Sequence, residues 1–380
     1  MCRLAAITAA EYFSPLENIY ALETMKEGHD GSGMGLVLKD LGGWAEPLKG
    51  YPVLSGICTH EGYKKVEEYM SAGGFSLVHS WSPKVKPMAP GADIRTRDRY
   101  FSNFYDYPPE YKDKPWAEKE ALLLRTRLAL RGMVKPPSNG VIDESIVVFS
   151  FYPDVITLKE VGDPLTLADY FGLDRGEVLK ARIILAQGRQ NTNYGINLYA
   201  CHPFFIQGYG SMTNGENTAF VPIREYLMSR GFPGYIGYQS DSEVFTHILH
   251  YTHKVLGYPL HYYKDVITPL KRAEMELRPD KEALFLMRQS LRMLVIDGPN
   301  CVIGFTPNGT CFMVQDTKKL RPGAVGGVRG KYALMSEECG VDKAVPKRDK
   351  SKDIFPMKYD MVMIPPGAEG ARIWNQQAGY

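Results

Sequence analysis

A thiol stands second in the chain, Cys2, separated by Arg3 from the apolar run Leu4-Ala5-Ala6-Ile7-Thr8-Ala9. An initiator Met before a small residue is usually trimmed, and trimming here makes Cys2 the first residue of the mature chain. A free α-amine has a reference pKa of roughly 7.7 to 8.0 and a thiol about 8.5, so one residue then carries both a nucleophile and a partly unprotonated base. A Cys on an ordinary first strand also explains these residues, and only the rest of the chain can decide.

The second chemistry-bearing stretch runs over residues 187–251. It holds Gly188-Arg189-Gln190-Asn191-Thr192-Asn193, then Ala200-Cys201-His202-Pro203, then Thr213-Asn214-Gly215-Glu216-Asn217-Thr218, and finally Ser240-Asp241-Ser242-Glu243. These polar groups fall at the ends of predicted strands. A helix over 242–255 carries His247, His250 and His253. Three histidines spaced by three, without a carboxylate partner, do not make a metal site, and no zinc or iron-sulfur pattern is visible.

The elements that must position these groups are short. Spacing predicts helices over 15–26, 61–71, 116–131 and 221–230, and strands over 52–60, 75–81, 146–151, 155–159 and 360–364. Residues 302–305 and 311–316 form a hairpin about Pro307-Asn308-Gly309. The glycines of Gly28-His29-Asp30-Gly31-Ser32-Gly33-Met34-Gly35 permit a tight turn that feeds a buried strand. No Gly-Lys-Ser and no strand-loop-helix order follows them, which argues against a phosphate loop. Residues 83–114, rich in Pro, Tyr and charge, read as a long surface excursion. Short strands and hairpins with helices between segments indicate an α+β layered domain and not a doubly wound parallel sheet.

Composition excludes several classes. Lys and Arg total 45 against 43 acids, a net charge of +2, and the charges are dispersed, which is no nucleic-acid footprint. No apolar run approaches the roughly 18 residues of a membrane span, so a soluble, cytoplasmic protein is expected. Six cysteines without a Cys-x-x-Cys pair are too few for a disulfide scaffold in 380 residues and read as reduced thiols.

Taken in order, the motifs resemble one family, the class II glutamine amidotransferases, which are Ntn hydrolases that take ammonia from glutamine. The terminal Cys reappears as Cys2, the Arg-x-x-Thr followed by Ala-His-Pro as Arg189 to Thr192 and Ala200 to Pro203, the Asn-Gly pair as Asn214-Gly215, and the Asp before a long helix as Asp241. Leu320-Arg321-Pro322 and Ser336-Glu337-Glu338 recur as well. The resemblance implies a four-layer αββα sandwich of two antiparallel sheets between helix layers, as one domain over 2–380 with an insertion at about 83–163. It implies Cys2 as nucleophile and Asn214 with Gly215 as the oxyanion hole.

Chemistry assigns the remaining roles. Glutamine presents a carboxylate, an ammonium and an amide; Arg189 offers the planar fork a carboxylate prefers, and Asp241 an anion for the ammonium. Thr192, Asn193 and His202 are further candidates for shaping the pocket. Three positions depart from the family pattern: Arg3 stands where a glycine is usual, Gln187-Gly188 replaces His-Thr or His-Ser, and Thr213 replaces the His before Asn-Gly.

Within the family, Tyr170-Phe171-Gly172-Leu173 before the Arg motif and Ser240-Asp241-Ser242-Glu243 look most like the stand-alone amidotransferase subunit of glutamate synthase-like enzymes, including N-methylglutamate synthase. That resemblance implies a hetero-oligomer in which a separate synthase partner accepts the ammonia and carries the flavin (FMN) and iron-sulfur groups, this chain holding no cofactor. The insertion is expected to dock that partner. The alternative is a catalytically silent scaffold or regulatory subunit of the same complex.

Overall fold

A computed structural model of the chain describes residues 2–85, 99–135, 143–191, 196, 198–232, 234, 237 and 239–378. Its architecture follows from strand Arg3–Phe13. Successive side chains of a strand face opposite ways, and here both faces are apolar: Leu4 and Ala6 lie in one buried cluster, Ala5 and Ile7 in another. Such a strand must lie inside a layered stack. It sits between Lys331–Met335 and Lys180–Gly188, antiparallel to both. The same six-stranded sheet extends to Ala324–Val328 on one side and to Met34–Gly42 and Val155–Glu160 on the other.

A second antiparallel sheet runs in the order Arg372–Asn375, Asp360–Ile364, Cys311–Gln315, Asn300–Phe305, Tyr209–Gly215, Phe204–Ile206. Leu4, Ala6, Leu185 and Leu334 of the first sheet pack against Met212, Ile303, Phe305 and Met313 of the second. Each fully buried Leu, Ile, Met or Phe in that interface contributes about 1.5–3 kcal/mol relative to exposure. Helices Leu16–Thr24 and Glu338–Ala344 cover the outer face of the first sheet, and helices Phe220–Ser229, Glu243–His250 and Tyr262–Ile267 cover the second. The result is the four-layer αββα sandwich expected from the sequence.

A third, four-stranded sheet in the order Ser76–Trp81, Arg99–Asp106, Pro52–Cys58, Ile146–Pro153 abuts the first sheet at Val155–Glu160. One expectation changes here. Residues 83–114 are not wholly a surface excursion, because Arg99–Asp106 is a buried central strand. Its polar residues concealed it: Ser102 pairs with Ser55 at 2.9 Å, and the Asn103 amide donates to the hydroxyls of Tyr63 and Tyr105 at 3.0 and 3.2 Å. The third sheet opens with Pro52–Cys58 and closes at Pro153, after which the chain rejoins the first sheet.

Candidate active site

The first half of the site hangs on the start of strand Arg3–Phe13. Arg3 is paired with Gly188, which places Cys2 beside the chain leaving the neighbouring strand. The Cys2 thiol donates to the Gln190 carbonyl at 3.6 Å and accepts from the Gln190 N–H at 3.4 Å. Burial pushes the thiol pKa up, opposed by the Gln190 backbone hydrogen bond and the Arg189 charge. The sulfur therefore rests as a thiol at neutral pH and needs a base before it can attack.

Arg3 explains its own departure from the family pattern. Its buried guanidinium donates from Nε to the Met25 carbonyl at 3.1 Å and pairs with Glu337 at 2.7 Å, stapling the strand's first residue to two other elements. A Cβ on Gly28 would overlap Arg3 Nε at 1.8 Å, so this glycine makes room for the arginine. Leu4 N–H donates to Ser336 Oγ at 2.7 Å, which anchors the Ser-Glu-Glu motif at the same point.

Arg189 follows strand Lys180–Gly188 and is held by the glycine-rich turn. Its N–H donates to the Gly33 carbonyl at 2.8 Å, and its own carbonyl accepts from the Asp30 N–H and the Ser32 hydroxyl, each at 3.3 Å. The buried guanidinium donates to the Ser32 carbonyl at 3.4 Å and to Asn191 Oδ1 at 2.9 Å. No carboxylate forms an ion pair with it among the described residues. Asp30 closes the turn, accepting from Ser32 N–H at 3.0 Å and Asn191 N–H at 3.1 Å. The glycines thus serve Arg189 and the neighbouring Cys201-His202 segment: a Cβ at Gly35 would fall 1.8 Å from the His202 carbonyl oxygen.

The second half belongs to strand Tyr209–Gly215. Asn214 and Gly215 pair with Cys301 and Asn300, and a Cβ at Gly215 would lie 2.2 Å from the Pro299 carbonyl, so only glycine fits. The Asn214 Nδ2 is buried and has no hydrogen-bond partner among the described residues, and Asn217 Nδ2 shares that condition. Asp241 accepts from the Asn217 N–H at 3.0 Å and the Ser242 hydroxyl at 3.2 Å. Burial raises its carboxyl pKa, while those two hydrogen bonds and Arg189 oppose the rise. His202 is buried and held neutral, its pKa pushed well below the ordinary imidazole value by burial and by the charges of Lys159 and Arg189. Its Nδ1 accepts from the Thr213 N–H at 3.2 Å, so the ring braces the strand behind Asn214.

The Arg189 charge acts to lower the pKa of Cys2, His202 and Asp241 alike. No hydrogen bond joins Cys2 Sγ directly to Asn214 or Asp241 among the described residues. Thr192 and Asn193 lie outside the described residues. Sequence reasoning gave no role to Asn217, whose Nδ2 sits three residues beyond Asn214, or to Ser32, and it read Asp30 as a turn or pocket residue without its grip on the chain around Arg189.

The helical histidines take separate partners. His247 Nε2 lies 3.4 Å from Glu243, so the expected lack of a carboxylate neighbour is corrected: it stands one turn earlier on the same helix. His253 Nδ1 contacts the Tyr209 hydroxyl at 2.7 Å, and His250 packs edge-on against Tyr209 and Phe232. No group of three or more His, Cys, Asp or Glu is arranged to hold a metal among the described residues, and no described helix is long and apolar enough to cross a membrane.

Neither a protein-family model nor a curated protein matches this sequence. Among solved structures, the chain is similar to the glutamine phosphoribosylpyrophosphate amidotransferase from B. subtilis, complexed with ADP and GMP, at 13% identity and a TM-score of 0.47. It is likewise similar to a structure described as the allosteric regulatory enzyme of purine biosynthesis, at 13% identity and a TM-score of 0.48. In both cases the likeness covers 99% of this chain and 49% of the other, so this chain spans about half the length of those enzymes.

Proposed function

We propose that this chain hydrolyses L-glutamine to glutamate and ammonia through a thioester on Cys2. The observation that carries the reading is the buried Arg189 guanidinium, which no carboxylate neutralises among the described residues and which adjoins the Gln190 peptide bonded to Cys2 Sγ. A buried cation without a counter-ion is costly unless a ligand supplies the anion. The α-carboxylate of an amino acid fits that need, and Asp241 faces its ammonium.

With Met1 removed, the α-amine of Cys2 takes the thiol proton and the sulfur attacks the γ-carbonyl carbon. The oxygen becomes an oxyanion, to which Asn214 Nδ2 and the Gly215 N–H donate; such a donor is worth about 10²–10³ in rate. As the C–N bond breaks, the ammonium of Cys2 returns its proton to the leaving nitrogen and ammonia departs. Water, deprotonated by the same amine, then attacks the thioester, and the thiol leaves with the proton.

The ammonia is delivered to a separate synthase subunit of the glutamate synthase type, the flavin and iron-sulfur groups belonging to that partner, in the cytoplasm. The residues that support this finer reading are the segment Tyr170-Phe171-Gly172-Leu173 and the motif around Asp241. A silent scaffold is the competing reading, favoured by the raised pKa of the Cys2 thiol and its hydrogen bond to the Gln190 carbonyl. Ammonia release from glutamine by wild type and Cys2→Ala, with intact mass measured on both, separates the two. Equal release by the two proteins, or a functional wild type that retains Met1, would sink the proposal.

A further inference from the structure

The edge strand Phe204–Ile206 pairs with Tyr209–Gly215 only as far as Phe204 opposite Ser211. Continuing the register would bring Pro203 opposite Met212 and His202 opposite Thr213. Proline has no N–H to give, and the ladder stops there. Thr213 is buried, so both of its backbone groups on this side need partners. They find them in side chains. The Thr213 N–H donates to His202 Nδ1 at 3.2 Å, and the Thr213 carbonyl accepts from Gln187 Nε2 at 3.2 Å.

Gln187 is fully buried and spends both ends of its amide, since its Oε1 accepts from the His202 N–H at 3.1 Å. One side chain therefore ties together three features: strand Lys180–Gly188, two residues before Arg189; the His202 backbone; and the residue before Asn214. Lys159 secures the same segment from the other side, donating to the Cys201 carbonyl at 2.7 Å. The Asn214 Nδ2, buried and with no hydrogen-bond partner among the described residues, takes its direction from the strand that carries it.

We infer that Gln187 is a positioning residue: by replacing the missing strand partner of Thr213 it fixes Asn214 against Arg189 and Cys2, and so sets the oxyanion donor. The inference rests on the glutamine-hydrolysis reading above. It also joins two departures from the family pattern, Gln187 and Thr213, into one hydrogen-bonded unit.

The test uses the full chain with glutamine. Gln187→Met keeps length and volume but makes neither hydrogen bond. It lowers kcat about 10- to 100-fold with KM within about threefold, because a displaced oxyanion donor is felt in the transition state and not in the bound amide. Alkylation of Cys2 by iodoacetamide, which develops no oxyanion, stays within about twofold of wild type.

Gln187→Glu serves if the methionine variant does not fold. Its carboxylate keeps an acceptor for the His202 N–H but faces the Thr213 carbonyl without a donor until protonated. Its kcat relative to wild type therefore rises as pH falls from about 8 to 6. Unchanged kcat in both variants, or kcat and alkylation falling together with a ratio flat in pH, overturns the inference. A wild type lacking any Cys2-dependent glutamine hydrolysis overturns the underlying reading instead, and is recognised before either variant is made.

Discussion

The two halves of the site spend their polar groups differently. On the first sheet, Arg189, Asp30, Ser32 and Asn191 hydrogen-bond one another through backbone and side chain, and the Gln190 peptide takes both roles with Cys2. On the second, Asn214 Nδ2, Asn217 Nδ2 and the Thr213 hydroxyl are buried with no hydrogen-bond partner among the described residues, although Asn217 Oδ1 accepts from the Ala219 N–H at 3.2 Å. A buried polar group left unsatisfied costs roughly 1–3 kcal/mol. The first half keeps two such atoms of its own, Arg3 Nη1 and His29 Nε2, but the network around Arg189 is bonded; in the second half the proposed oxyanion donor is itself among the unpartnered atoms, and a ligand oxygen would satisfy it.

Removing the cation that both halves share gives the largest effect. Arg189→Ala is expected to lower kcat/KM for glutamine about 10³-fold, most of it in KM, since truncating one side of a buried charge pair costs 2–5 kcal/mol. Arg189→Lys should recover little, because a point charge cannot match a planar fork. Steady-state kinetics on the two variants check this, and a lysine variant with wild-type KM would remove the carboxylate assignment.

Asn214→Ala comes next and sharpens the contrast. Loss of the proposed oxyanion donor should lower kcat about 10²–10³-fold with KM nearly unchanged. The same change deletes a buried unsatisfied amide, so the thermal midpoint should hold or rise despite the cavity. A clear loss of stability would mean that the amide is already satisfied in the free protein, and the difference between the halves would vanish.

Asp30→Ala, on the scaffold side, is expected to behave in the opposite way. Two backbone N–H groups lose their acceptor, at about 1–3 kcal/mol in urea unfolding, while KM rises less than tenfold and kcat stays within about twofold. Together the Asn214 and Asp30 variants form a crossed pair, one changing rate without stability and the other stability with little rate.

Most of the scaffold was readable in the sequence because periodicity reports burial. The continuous apolar run in Arg3–Phe13 and the β-branched strands at Ile146–Pro153 and Val155–Glu160 declare themselves. Strand Arg99–Asp106 did not, since its polar residues bond within the sheet and mimic a surface. In the candidate site, Cys2, Arg189 and Asn214-Gly215 stand out in the sequence as distinctive types at distinctive places. Gln187 was visible only as an oddity, because its purpose depends on where a strand 15 residues later runs out of partners, as its bond to the His202 N–H records. Spacing along the chain carries no trace of that.

The smallest effect separates the halves by pH. His202 stays neutral far below the ordinary histidine range, so its clamp on Thr213 does not titrate near neutrality. The acid limb of kcat must then come from the first half, from the Cys2 amine, and is expected near pH 7.5–8. Stability fails at lower pH and through the helix layer behind the second sheet. His250 and His261 are pushed down to about 3 and about 4 by burial, so between those values and about 6.5 the unfolded chain binds protons that the folded chain refuses. Their contribution is complete above pH 6.5 and is lost as pH falls. Asp265, raised to about 6 by burial, works the other way, because the folded state accepts its proton first. Of these three groups the two histidines outweigh the aspartate, so together they lower stability as pH falls from 7 to 4.5. Urea unfolding across that range should show it, and His250→Phe should flatten the dependence by about one proton while leaving the limb in kcat untouched. If the variant moved both limbs together, the acid limb of kcat would belong to the second half, and the division of the site drawn from its hydrogen bonds would be wrong.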